Sequence, residues 1–222
     1  AMLLAGFLKA LFQNNVTLVT TSNVPADQLY KNGLQRERFL PAIELIKHYT
    51  DELHLDGDLD YRSELLERTG TFHINTGKDV TQLLQQQFQS LAPHTITMAA
   101  KLNINQREIN TVAVSDDVAW FEFAALCETP RSSVDYLEIA RAYHAVIISD
   151  VPQLSEAKDD AAQRFIHLID ALYDHSVKTI ISAAVKPADI YSGRRHGFAF
   201  QRTASRLQEM ASEQYLNKAH RL

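Results

Sequence analysis

The reading of this chain turns on VTLVTTSNVPADQLYKNGLQRERFLP, residues Val16 to Pro41. It opens with a short apolar, β-branched run, Val16 to Val19, set between Asn14-Asn15 and Thr20-Thr21-Ser22-Asn23. A run so brief and so rich in Val and Thr predicts a buried strand of a mostly parallel sheet. Asn23 falls at its carboxyl end, where open α/β sheets bind ligands, and Pro25 starts a short helix or turn reaching Lys31. Asn32-Gly33 breaks that element, and Arg36 and Arg38 then bracket Glu37. An amide at a strand tip followed by paired arginines suits phosphoryl chemistry: one group positions water, the other neutralises developing charge. Plainer readings stand beside this one. Asn is a common loop-start residue, and a lone Arg is usually a surface charge paired with a neighbour such as Glu37 or Glu44.

Upstream, Met2 to Phe12 is apolar on nearly every face and predicts a largely buried helix feeding the Val16 strand. The stretch lacks the basic start of a signal segment and reads as a helix entered partway along a longer chain. Downstream, Phe39 to Tyr49 is amphipathic, with Phe39, Ile43 and Ile46 on one face. A short strand is expected at Glu52-Leu53-His54-Leu55 before the turn Asp56-Gly57-Asp58, and another over Thr71 to Asn75. Lys78 to Leu91 reads as a Gln-rich helix. From Thr95 to Phe123 apolar and polar residues alternate, which predicts a small antiparallel β-rich insert. Ser133 and Asp135 can cap a helix running to about Tyr143. Strands are expected at Ala145 to Ser149 and Val177 to Ile181, with a strongly periodic helix from Asp159 to Asp174 between them. A short helix at Pro187 to Tyr191, a basic loop at Gly193 to Gly197 and a final helix from Gln201 to Leu216 complete the chain. Two stretches echo one another: ALFQNNVTLVTTSNVPADQLY from Ala10 and ALYDHSVKTIISAAVKPADIY from Ala171. Both read as ordinary helix–strand–turn units of one sheet, and two copies alone do not establish a duplication.

With 222 residues, 45% of them hydrophobic, the chain can bury a sizeable core. A formal net charge of −5, without interleaved basic and aromatic positions, points away from nucleic acid. The single cysteine, Cys127, cannot form an internal disulfide and sits among aromatics as a packed core thiol, consistent with a reducing compartment. No apolar run approaches the roughly 20 residues of a membrane span. The nine histidines form no HxxxH or HExxH pattern, so no metal site is assigned. Lys78 follows Gly77, but a phosphate-cradling loop needs Gly where Phe72 stands and Ser or Thr where Asp79 stands. There is no Walker A loop in this sequence, and no strand ending in Asp-Glu to hold magnesium. Arg62 and Arg164 could each face a nucleotide or a carboxylate, and Arg194-Arg195-His196 reads first as a solvated basic loop.

LYKNGLQRERFLPAI resembles the ZapE/AFG-like family of AAA+ ATPases, and the likeness continues through HLDGDLDYR, FAALCETPRSSVDYLEIARAYH, RFIHLIDALYD and FAFQRTASRLQEMASEQYL. Those segments span nearly the whole chain in family order. The resemblance implies an α/β fold, the truncated C-terminal part of a P-loop NTPase (AAA+) core with a mostly parallel sheet, a small antiparallel β-rich insert and C-terminal helices. It places the Walker A and Walker B segments upstream. It makes Asn23 the sensor that positions water, Arg38 and then Arg36 the arginine fingers, and Arg164 the second sensor, with Arg62 a further nucleotide contact. Gln163 stands where the family tends to carry a second Arg.

The implied organisation is residues 1–60 as the end of the ATPase core, 61–144 as a helical and β-rich lid or insert, and 145–222 as a C-terminal α/β segment. ATP and Mg2+ are implied for the full-length protein, and none is expected on this fragment, which should be inactive alone. A cytoplasmic location and a protein partner are implied, the partner being the tubulin-like division ring in bacterial members, together with self-association into a ring when full length. The rival reading is a non-enzymatic interaction domain that binds a partner through the β-rich insert and C-terminal helix.

Overall fold

AVIISDV and KTIISA are short stretches built on β-branched residues, Val146 to Ile148 and Thr179 to Ile181, and such stretches are stable as inner strands where both faces of a sheet are covered. They form β7 (Ala145–Val151) and β8 (Lys178–Ala183), adjacent and parallel in a six-stranded sheet. The other members are β1 (Phe72–Ile74), β2 (Thr97–Met98), β5 (Ala113–Val114) and β6 (Val118–Glu122), in the order β1-β8-β7-β6-β5-β2. The first four strands of that order run parallel, and β5 and β2 extend the sheet antiparallel. Two more strands, β3 (Lys101–Ile104) and β4 (Arg107–Asn110), pair as a separate hairpin. Its two-residue turn puts Asn105 and Gln106 at positive φ, 49° and 65°, as the twist of a tight hairpin demands. The expected fold class is therefore the observed one.

The computed structural model describes residues 2–14, 16–22, 24–29, 36–53, 61–74, 79–92 and 95–221, with the backbone alone for 2, 3, 5, 38, 61 and 62. The chain divides into two compact units, Ala1–Asp58 and Leu59–Leu222.

In the second unit the strand period of two sends alternate residues of β7 to opposite sides. Val146 and Ile148 join the core with Phe165, Leu168, Ile169 and Leu172 of α6 (Asp159–Asp174) and Ile139 of α5 (Ser133–Ala142). Ala145 and Ile147 join a second core with Leu66 of α3 (Tyr61–Thr69) and Leu84, Phe88 and Leu91 of α4 (Asp79–Leu91). Helices thus cover both faces. After β8 come α7 (Gly197–Met210) and α8 (Glu213–Leu216). The expected single helix from Gln201 to Leu216 is two, because Ser212 caps α8 by accepting from the Tyr215 N–H. Likewise the cap of α5 is Ser132 rather than Ser133, with the Asp135 carboxylate accepting the Ser132 N–H at 2.8 Å. The tail beyond α8 is tied down: Lys178, fully buried at the start of β8, donates to the Lys218 carbonyl, and His220 contacts the Ala140 carbonyl at 2.7 Å.

In the first unit α1 (Met2–Gln13) packs on α2 (Leu40–Tyr49) through Leu8, Phe12, Phe39, Ala42 and Ile43, with Phe12 stacked on Tyr49. Only one stripe of α1 is covered, since Leu4 and Phe7 are exposed, so the expected largely buried helix is corrected. The expected strand at Val16 to Val19 is corrected too. Those residues are in no strand, and Val19 is 90% exposed. The described residues of this unit contain no strand at all, so a strand here has nothing to pair with and its backbone groups stay with water. Glu52 and Leu53 are also outside any strand, while His54, Leu55, the turn after them and Lys78 lie outside the described residues.

Candidate functional site

Five residues carry the sequence-based expectation of function. Asn23 lies outside the described residues. Arg36 and Arg38 share one 3-10 turn, Arg36–Arg38, immediately before α2. The Arg36 Nη2 donates to the Asp27 carbonyl at 2.7 Å, and Lys47 holds the Asp27 carboxylate at 2.8 Å. The buried Arg36 Nε makes no hydrogen bond among the described residues. For Arg38 the backbone alone is described, as it is for Arg62 near the start of α3. Arg164 is on α6, and its Nη1 donates to the Cys127 carbonyl at 3.0 Å. So the turn before α2 brings two of the five together, while Arg62 and Arg164 sit on different helices of the second unit.

Arg164 lines a cleft of about 380 Å³ together with Arg131, Ser132, Ser133, Asp160, Gln163 and His167. The topology places this cleft. β6 and β7 run parallel, so the connections that follow them, into α5 and α6, leave from the same carboxyl edge of the sheet. Arg131, Ser132 and Ser133 end the first connection; Asp160 to His167 form the opening turns of α6 after the second. That edge is where open α/β sheets place their ligands.

The first connection contains a π-helical turn, Ala124–Glu128, a conformation that turns carbonyls away from the regular ladder. Cys127 is fully buried within it, and desolvation pushes its thiol far up, so it is inert packing as the sequence suggested. Tyr136 closes the turn from below by donating to the Leu126 carbonyl at 2.8 Å. Arg131 donates from Nε to Thr129 Oγ1 at 3.2 Å and to the Ala125 carbonyl at 3.4 Å, and from Nη2 to the Glu108 carbonyl at 2.8 Å. Both arginines of the cleft are thus fixed by neutral oxygens, and neither has a carboxylate within ion-pair distance among the described residues.

Asp135, buried at the start of α5, is already satisfied. Burial opposes its charge, but the Ser132 N–H, Asn105, the Ser132 hydroxyl and Arg107 outweigh that and hold the carboxyl below its usual range. Arg131 and His167 escaped the sequence reading. The signal that could have found Arg131 is its place in TPRSS, directly before a capping serine and one helical segment away from a second arginine.

The donor set fits phosphate better than metal. Arginines can contact an oxyanion bidentately. Among the described residues, however, no three His, Cys, Asp or Glu side chains come together to hold a metal ion.

Fold and cleft together define an α/β protein with a mainly parallel sheet and an arginine-lined cleft at its carboxyl edge. A family model described as AFG1-like ATPase matches residues 1–219. The cell division protein ZapE of Escherichia coli K12 is 41% identical over 220 residues, covering 99% of this chain and 59% of that protein. Lactation elevated protein 1 homolog B of Danio rerio is 34% identical over 250 residues, covering 97% of this chain and 50% of its own length. No solved structure matches. The chain belongs to the AFG1-like ATPase family, and it spans about three fifths or less of the length of these relatives.

Proposed function

We propose that this chain is the C-terminal part of an ATPase that couples ATP hydrolysis to the remodelling of a protein partner in bacterial cell division. The observation that carries the reading is the family match over residues 1–219 in a sequence that has no phosphate loop of its own. The phosphate loop and the magnesium carboxylates then belong to a part of the protein outside this sequence, and residues 1–60 complete that core. In this reading Asn23 holds the attacking water, and Arg38, with Arg36 second, neutralises charge on the nucleotide of a neighbouring subunit. A finger acting in trans requires head-to-tail association, hence a ring. Arg164 and Arg62 are further nucleotide contacts. ATP and Mg2+ are the cofactors of the whole protein, which acts in the cytoplasm, with the tubulin-like division ring as its partner. Among the described residues no helix is long and apolar enough to cross a membrane.

The test is ATP turnover by the whole protein beside an Arg38→Ala copy. The expected result is a loss of about a thousandfold in rate with nucleotide binding retained. The present chain alone should turn over no ATP. A whole protein that neither binds nor hydrolyses ATP overturns the reading.

One observation favours the non-enzymatic alternative. Phe198, at the start of α7, is 90% exposed beside Arg194 and Arg195, which make no ion pair among the described residues. An exposed aromatic flanked by free cations is a common form of contact surface for an acidic partner.

A further inference from the structure

In a chain whose formal net charge is −5, the segment from Lys186 to Gln208 carries Lys186, Arg194, Arg195, Arg202 and Arg206 against a single carboxylate, Asp189. Arg202 and Arg206 are paired with Asp170. Arg194 and Arg195 are exposed and make no ion pair among the described residues. Beside them, α7 and the 3-10 turn Pro187–Asp189 border a groove of about 390 Å³. Tyr191 and Phe200, stacked at 5.5 Å, give it an apolar lining with Ala188 and Ala204, and Gln201 and Gln208 supply its polar side. Phe198, 90% exposed, stands two helical turns before Ser205, which also lines the groove, so both lie on one face of α7.

The basic loop is held against this groove. The Tyr191 hydroxyl accepts the His196 N–H at 3.3 Å and donates to the Asp159 carboxylate at 2.6 Å. A Cβ at Gly193 would overlap that hydroxyl, so only glycine lets the chain pass so close to Tyr191. The backbone that carries Arg194 and Arg195 is therefore in place before a ligand arrives, and binding orders two side chains rather than a loop.

We propose that this groove docks a short acidic segment of a partner protein. One apolar side chain of the segment sits against Tyr191, Ala188 and Ala204, its carboxylates meet Arg194 and Arg195, and Phe198 packs along its apolar side. This rests on the reading of Phe198 as a contact residue, and adds the groove and the chemistry of its occupant. Charge complementarity selects an acidic partner. The lining selects a peptide over nucleic acid, because single strands stack on successive open aromatic faces. Here Tyr191 and Phe200 are buried against one another, and Phe198 is the one open ring of the segment.

The experiment is fluorescence polarisation of a labelled peptide of Asp and Glu around a central Leu-Phe pair, titrated with this chain at constant ionic strength. Two variants are compared, both at exposed positions, so their melting temperatures should stay near that of the parent. Arg194→Glu with Arg195→Glu reverses the charge, and Ser205→Phe fills the groove from the helix surface. Saturable binding is expected, weakened about tenfold or more by each variant and by replacing the Leu-Phe pair with Ser-Ser. Binding that is lost on charge reversal but indifferent to Ser205→Phe and to Ser-Ser overturns the groove and leaves Phe198 and its arginines as a general acidic contact. Absence of saturable binding by the folded chain overturns both. Displacement of the peptide by polyuridylate at equal charge concentration makes the surface a nucleic-acid site and overturns the proposal. So does self-association of the chain that Ser205→Phe abolishes in sedimentation, since a second copy is then the occupant. None of these readouts depends on ATP turnover by the whole protein, so a failed groove and a failed ATPase reading are told apart.

Discussion

Two stretches with nearly the same pattern meet opposite fates in this molecule. NNVTLVTTSNVPADQLY and HSVKTIISAAVKPADIY each follow a helix, run through β-branched residues, pass a small-residue turn and reach a short 3-10 helix, Ala26–Gln28 in one and Pro187–Asp189 in the other. The second contains β8, whose six residues are all buried. The described residues of the first contain no strand, and Val19 lies 90% exposed. The difference is in the neighbours. β8 has β1 on one side and β7 on the other, with helices over both faces, whereas the described residues of the first unit offer the Val16 run no strand to pair with. A strand is thus a property of its ladder more than of its own residues.

The comparison sharpens into measurements. The largest effect is expected at Phe165, buried on α6 between Phe123 and Phe200. Phe165→Ala should cost about 3–5 kcal/mol in chemical denaturation, since it opens a cavity in the main core. Next comes the matched pair Ile180→Ala and Val19→Ala. The first removes a fully buried β8 residue and should cost about 2–5 kcal/mol. The second should fall within about 0.5 kcal/mol. Equal costs would show that the Val16 run is packed in solution as β8 is, and the contrast would collapse.

A smaller, pH-dependent effect is expected at Asp135→Asn, which should cost about 1–3 kcal/mol at neutral pH by weakening the contacts to Ser132 and Arg107. The native carboxyl is held low, so its contribution is present above the ordinary carboxyl value near about 4. It is lost as pH falls through the lower native value. Wild type and variant should therefore converge in acid, and a gap independent of pH would remove charge from the explanation. Smallest in free energy, but direct, is hydrogen exchange. Amides of Thr179 to Ser182 should be strongly protected, and those of Thr17 to Thr20 should exchange near the open-chain rate.

Much of the second unit was legible in the sequence because its elements declare themselves locally. The α6 helix was readable to its ends from Phe165, Leu168, Ile169 and Leu172 at helical spacing, and β7 and β8 from short runs rich in β-branched residues. The Ser132–Asp135 cap was readable as chemistry and wrong by one residue, because adjacent serines offer the same hydroxyl and only the backbone angle separates them. The site was less legible. The arginine pair before α2 could be named from spacing, whereas Arg131 meets Arg164 only because two parallel strands send their connections to the same edge of the sheet.

By itself, then, the sequence determined the α/β class, the positions of the main helices and inner strands, the family likeness and the absence of a phosphate loop. Each of these depends on residue type and short-range periodicity, which the chain carries without folding. Tertiary structure alone decided that Val16 to Val19 is not a strand while β8 is, that β6 joins β7 in parallel, and that Arg131 and Arg164 share one cleft. Those outcomes depend on which backbone groups find partners far along the chain, and local pattern holds no record of that.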